Sequence, residues 1–210
     1  MRIAVIGAAG MVGSRVTSEA ADRGHDVTAV FRGEVPASPP GGVSAVRGDA
    51  TDRDQMSKLF TEADAIVAAT RPRPGREGTV PATITALLDA AVKTRTRIVV
   101  IGGAGPLQTP GRPEQLVVDN PDYVAPEWRV IAAASVAQLD ACREHPADWV
   151  YLSPPAVLEP GHRTGTYRRG GTTLLTDAEG ASRISAEDLA VAVLDELENP
   201  RGEKHFTVGY

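Results

Sequence analysis

Short apolar runs alternate along this chain with longer stretches whose apolar residues recur every three or four positions. Ile3 to Ile6, Asp26 to Phe31, Val43 to Arg47, Ala65 to Ala69, Arg97 to Ile101 and Trp149 to Leu152 are brief and rich in valine and isoleucine, and they predict strands. Helices are predicted between them. One follows the first strand, a second is capped by Thr51 or Asp52 and runs to about Phe60, and a third spans about Val80 to Thr94 with Ile84, Leu87, Leu88 and Ala91 on one face. Pro126 suits the first turn of a fourth, with Trp128, Ile131, Ser135, Leu139 and Cys142 at helical spacing. Later, Thr164 to Thr176 around Gly170-Gly171 predicts a β-hairpin. Ser185-Ala-Glu-Asp188 is a capping box in outline, with Asp in place of the usual Glu, opening a helix to about Leu197, and His205 to Val208 predicts a last strand. Strands separated by helices make an α/β fold with a right-handed, doubly wound parallel sheet, so ligands are expected at the carboxyl ends of the strands.

With 210 residues, 42% of them hydrophobic, the chain suits one domain over 1–210, in which residues from about 150 onward form a small lobe over the crevice. The net charge of −5 and the lack of any run of five basic residues give no electrostatic support for nucleic acid or an anionic membrane, leaving a small molecule as the expected partner. No apolar stretch reaches the length of a membrane span, and the chain starts directly on a core strand, so the cytoplasm is the expected compartment. The single cysteine, Cys142, has no internal disulfide partner and falls in a helical pattern that predicts a buried or half-buried thiol.

The candidate chemistry begins at the first strand. Gly7, Gly10 and Gly13 follow it at three-residue spacing, where a tight turn needs Gly7, close approach of a diphosphate needs Gly10, and packing of the helix on the sheet needs Gly13. Free amides at the start of that helix, with Met11 and Val12, would face the diphosphate. The second strand ends in Phe31-Arg32-Gly33. An acidic residue there would suit a free ribose 2′-hydroxyl; Arg32 can instead fork two donors onto a 2′-phosphate, which favours NADP(H) and leaves NAD(H) possible. The expected fold is therefore Rossmann-like.

Gly7-Ala-Ala-Gly10-Met-Val-Gly13, Val30-Phe-Arg32, Gly48-Asp49-Ala50, Val100-Ile-Gly102-Gly103-Ala-Gly105, Tyr151-Leu-Ser153-Pro154 and Arg183-Ile-Ser185-Ala-Glu-Asp188 run from end to end of the chain. Together they resemble the atypical short-chain dehydrogenase/reductase superfamily. More narrowly, they are similar to the NAD(P)H-binding, flavin-reductase-like group related to biliverdin reductase B and to NmrA-type proteins. The resemblance implies that Asp49 and Ala50 touch the adenine, that Ala69, Thr70 and Arg71 lie by the ribose and diphosphate, and that Gly102, Gly103, Ser153 and Pro154 hold the nicotinamide end. Asp49 reads equally as a turn residue, and Arg73 and Arg76 as solvated loop residues.

Typical dehydrogenases of this superfamily use a Tyr-x-x-x-Lys pair, in which the lysine charge lowers the tyrosine pKa for proton exchange. That pair is missing. Four residues beyond Tyr123, Tyr151 and Tyr167 stand Glu127, Pro155 and Gly171, and the only lysines are Lys58, Lys93 and Lys204. Hydride transfer to a flavin, a linear tetrapyrrole or a quinone asks less, because the acceptor is electron-poor and takes its proton from water. Tyr167 in the predicted hairpin is the candidate for holding a substrate, and no side chain is assigned as catalytic. The expectation is an NADPH-dependent reductase of flavin-like or other conjugated acceptors. The alternative is a non-catalytic NADP(H)-sensing protein of NmrA type. Neither a phosphate loop nor a Gly-x-Ser-x-Gly elbow occurs, His25, His145, His162 and His205 are scattered, so no metal site is expected, and the oligomeric state stays open.

Overall fold

In the computed structural model, which describes residues 1–39 and 41–210, the chain forms an eight-stranded sheet with helices on both faces. The predicted Pro36–Gly42 loop is described except for Pro40, which lies outside the described residues. The elements run β1 (Arg2–Ile6), α1 (Met11–Asp22), β2 (Asp26–Phe31), β3 (Val43–Arg47), α2 (Arg53–Thr61), β4 (Ala65–Ala68), α3 (Val80–Thr94) and β5 (Arg97–Ile101). Then come β6 (Gln108–Thr109), β7 (Arg112–Leu116), α4 (Arg129–Arg143), β8 (Trp149–Ser153), β9 (Val157–Glu159), β10 (Arg168–Gly170), β11 (Arg183–Ser185), α5 (Ala186–Glu198) and β12 (His205–Gly209). The strand order is β10-β12-β8-β5-β4-β1-β2-β3, parallel throughout except where β10 runs antiparallel to β12.

Two-residue alternation along the strands sends side chains to opposite faces, and the core divides accordingly. Ile3, Val5, Val27 and Phe206 pack with α1 and α5, whereas Ala4, Ile6, Ile98 and Tyr151 pack with α2, α3 and α4. β1 lies between β2 and β4, with Val5 opposite both Ala29 and Val67. Since β2 and β3 build outward to one side of β1 and β4 onward to the other, the strand order reverses between β1 and β4. That reversal opens a crevice at the carboxyl ends of the strands.

The tail departs from expectation. Only Arg168–Gly170 of the predicted hairpin is a strand, and it pairs with β12. The intended second arm pairs elsewhere: the Gln108 amide donates to the Thr172 carbonyl at 2.8 Å, and the Leu174 amide to the Gln108 carbonyl at 3.0 Å. The tail is joined to the main body, since β8, β12 and β10 extend the main sheet and α5 packs on α1. Pro126 opens a short 3-10 turn rather than the helix itself, which starts at Arg129. Cys142 is buried, and burial pushes its thiol up to about 12.

His205 makes the fold acid-sensitive. Its Nε2 lies 2.9 Å from the Ser153 hydroxyl, its ring stands edge-on to Tyr151, and its Nδ1 has no partner among the described residues. Burial, assisted by the Arg143 charge, pushes the imidazole from 6.5 down to about 4. The unfolded chain therefore takes up this proton before the folded one, so the contribution is complete above pH 6.5 and is lost as pH falls toward 4. The melting temperature is expected to decline over that window in wild type and more gently in His205→Asn; parallel pH profiles would exclude His205 as the source.

Candidate functional site

Two adjoining cavities fill the crevice, meeting along Gly10, Ala69 to Pro72 and Val80. The first, about 660 Å³, lies over the ends of β1, β2 and β3 and is lined by Gly7, Gly10, Arg32, Asp49, Ala50, Ala69, Thr70 and Arg71. The second, about 560 Å³, lies over β5 and β8 and is lined by Met11, Val12, Gly102, Gly103 and Pro154, together with residues of α4. Sizes of this order suit small-molecule ligands.

The glycines have distinct steric duties. Gly7 adopts φ +88°, and a Cβ there would stand 2.9 Å from the Ala69 carbonyl carbon. A Cβ on Gly13 would stand 2.7 Å from the Gly7 carbonyl carbon, so helix and turn can approach this closely only without one. Gly10 is the N-cap of α1 and offers no side chain to its amides, and no acidic residue occupies the first turn. The opening of α1 is thus a positive dipole end with free amides facing the crevice, a cradle that fits a dinucleotide diphosphate.

Charge adds to that fit. Arg32, Arg71, Arg73 and Arg76 line the first cavity, and none has an ion-pair partner among the described residues, whereas Arg2, Arg15, Arg23 and Arg163 all pair with carboxylates. Arg73 and Arg76, read as solvated loop residues, are exposed and also line this cavity. Asp49 lines it too but spends Oδ1 on the Thr51 amide and hydroxyl, at 2.9 and 2.8 Å. Those bonds, and then the Arg32 charge, hold its carboxyl below the usual range. The turn role and the cavity position coexist.

Two sequence candidates lie outside the crevice lining. Ser153 is fully buried, its hydroxyl facing His205. The parity of β8 explains this, because the side chain that follows Leu152 points back into the sheet layers. Tyr167 donates to Asp195 of α5 at 2.6 Å, packs against the core beside α1 and α5, and lines neither cavity. The loss of the hairpin removes the geometry that placed it there. Arg15 of α1 bridges to Glu187 of α5 at 2.5 Å.

The second cavity has residues that the sequence reading missed. Tyr123, Val124, Trp128, Ile131 and Gln138 line it, with Pro155 to Glu159 opposite. Gln138 had a signal, being a polar residue three positions after Ser135 on the inward face of α4. The Tyr151 hydroxyl lies 3.0 Å from Gln138 Oε1 and 2.9 Å from the Ser135 carbonyl. Burial pushes that phenol far up, so Tyr151 is a neutral structural strut. No lysine lines either cavity: Lys93 pairs with Asp54 and Lys204 with Asp148.

Residues 7–200 match the NAD(P)H-binding family. The chain is 34% identical over 215 residues to the uncharacterized protein YwnB of Bacillus subtilis, spanning 99% of this chain and 98% of that protein. Among solved structures, a candidate epimerase from Bacteroides thetaiotaomicron superposes with TM-score 0.89 at 33% identity, covering 100% of this chain and 96% of that one. A candidate NADH-flavin reductase from Streptococcus pneumoniae superposes with TM-score 0.87 at 30% identity, covering 100% and 99%. Among the described residues, no helix is long and apolar enough to cross a membrane.

Proposed function

Because the chain belongs to the NAD(P)H-binding family, we propose that it is an NADPH-dependent reductase of a conjugated acceptor such as a flavin or a quinone, acting in the cytoplasm on a diffusible substrate. The observation that carries this reading is the division of the crevice into an arginine-rich half at the β1–α1 turn and an apolar half over β5 and β8. When bound, the dinucleotide supplies a hydride. Gly10 and the α1 amides receive the diphosphate, and Arg32 presents a bidentate fork to a 2′-phosphate. The walls from α4 and Pro154 to Leu158 press the acceptor against the nicotinamide end. With no lysine near a tyrosine, the proton comes from solvent, which suffices for an electron-poor acceptor.

The test follows NADPH oxidation with FMN, riboflavin and a simple quinone in turn, with NADH for comparison. Turnover with NADPH preferred is expected, and Arg32→Ala should weaken NADPH binding by about 10- to 100-fold while moving NADH less than threefold, since one charge-assisted contact is worth about 1.5–3 kcal/mol. Retained NADPH preference in that variant would overturn the cofactor assignment. Tight nucleotide binding without turnover would favour a redox-sensing protein.

A further inference from the structure

We propose that Arg73 and Arg76 form a second clamp on the 2′-phosphate of the dinucleotide, so that this group is held from the end of β2 and from the loop after β4 together. The inference rests on the NADP(H) reading above and deepens it by naming two further specificity-determining residues.

The segment Arg71-Pro-Arg73-Pro-Gly-Arg76 follows β4 and leads toward α3. Its centre is a tight turn: the Arg76 amide donates to the Arg73 carbonyl at 2.9 Å, and Gly75 adopts φ +78° behind Pro74. Proline followed by a left-handed glycine is what a type II turn requires, and the first and last Cα atoms of such a turn lie within about 7 Å. The far side of the turn is anchored as well. The Gly75 amide donates to Glu77 Oε1 at 3.0 Å, and the Arg76 carbonyl accepts from the Thr79 amide at 3.0 Å and the Thr79 hydroxyl at 2.7 Å. Two prolines and these bonds leave the backbone little freedom to lose on binding. The turn thus carries two guanidinium groups at its neighbouring ends, where like charges repel. Glu77, the carboxylate nearest in sequence, spends Oε1 on the Gly75 amide, and neither arginine has an ion-pair partner among the described residues. A bound anion relieves that repulsion and fills the vacant donors.

Position identifies the anion. Arg71 and Pro72 border both cavities, but Arg73 and Arg76 line only the dinucleotide half, as do Arg32, Gly33, Ala50 and Thr51. Those four residues follow β2 and β3 and mark the adenosine end, whereas the diphosphate belongs to Gly10 and the α1 amides. The phosphate at the adenosine end is the 2′-phosphate. Such a monoester carries about −1.5 to −2 charges at pH 7 and offers three acceptor oxygens, more than one guanidinium fork can match. Nor is the Arg32 charge wholly at its disposal, because it already acts on the Asp49 carboxylate in the same cavity. The turn arginines close that deficit.

The test measures calorimetric affinities for NADP⁺, NAD⁺, 2′,5′-ADP and 5′-ADP, the last two being isomers that differ only in where one phosphate sits. Wild type is expected to bind NADP⁺ and 2′,5′-ADP more tightly than their counterparts. Arg73→Ala and Arg76→Ala should each weaken NADP⁺ about fivefold and the double variant by about tenfold or more, with 2′,5′-ADP falling in parallel. NAD⁺ and 5′-ADP should stay within about twofold, which also shows that the cavity is folded. A double variant that loses less than about threefold for NADP⁺ overturns the proposal. So does one that loses NAD⁺ and NADP⁺ equally, the result expected if these arginines only cover the adenine or the diphosphate. Wild-type protein without NADP⁺ preference would sink the cofactor reading and this inference together. A preference lost in Arg32→Ala yet kept in the double variant would sink this inference alone.

Discussion

Gly13→Ala is expected to weaken NADPH binding by about 100-fold. The added Cβ would lie 2.7 Å from the Gly7 carbonyl carbon and 3.1 Å from Ala8 Cα, and all these neighbours are backbone atoms of the β1–α1 turn. No rotamer change relieves that overlap, so α1 must shift by the better part of an ångström. The amides meant for the diphosphate sit on this helix, and a displacement of that size is the kind that costs about two orders of magnitude in a positioned site. Overpacking should also lower stability by about 1–3 kcal/mol. Gly33→Ala is the control, because Gly33 lines the same half of the crevice with nothing within 4 Å of a built Cβ. Calorimetric titration with NADPH would decide the matter: a Gly13→Ala affinity within threefold of wild type is incompatible with this account of the turn.

The same contrast shows which features a sequence exposes. β2, β3, α3 and β5 lie where the apolar periodicity puts them, because each buries a face against an adjacent layer and the alternation is local. The cradle was legible for a related reason: Gly10 and Gly13 press on Gly7 and Ala8, only a few residues away, although Gly7 also presses on Ala69 of β4's end. Pairings made at long range were not. β9 with β11 joins Val157–Glu159 to Arg183–Ser185 through three residues each, and the Gln108 backbone captures Thr172 and Leu174 from the expected hairpin. β7 is largely exposed and includes a proline, so it carries no strand signature. Ser153 and Tyr167 were misplaced because their position relative to the crevice depends on strand parity and on that hairpin. Gln138, Arg73 and Arg76 went unassigned because polarity alone does not say whether a residue faces solvent or a cavity.

Asp188→Ala is expected to destabilise the protein by about 4 kcal/mol, since it removes the acceptor at the centre of a buried polar junction. Ser185 caps α5 as predicted, accepting from the Asp188 amide at 3.0 Å, but the reciprocal half of the box is not made. The Ser185 amide donates instead to the Tyr210 hydroxyl, and the fully buried Asp188 carboxylate turns to other donors. It accepts from the Thr164 and Gly165 amides at 2.9 and 2.8 Å, the Thr164 hydroxyl at 2.6 Å and the Tyr210 hydroxyl at 2.7 Å. Alanine would remove the fully buried acceptor that these donors share. Burial works to raise the carboxyl's pKa, yet the bonds from Thr164, Tyr210 and Gly165 outweigh it and hold the group below its ordinary value of 3.8. The stabilisation is therefore present above that value and lost as pH falls through the lower folded pKa, so the wild type and the variant should converge in strongly acidic solution. The effect reaches the crevice as well, because the adjoining Glu187 accepts from Gly161 and Arg15, and Glu19 clasps Arg163, tying the segment after β9 to α1 and α5. Chemical denaturation at pH 7 measures the loss. A value under 1 kcal/mol would mean that the donors find other partners and that the junction does not hold this wall of the site.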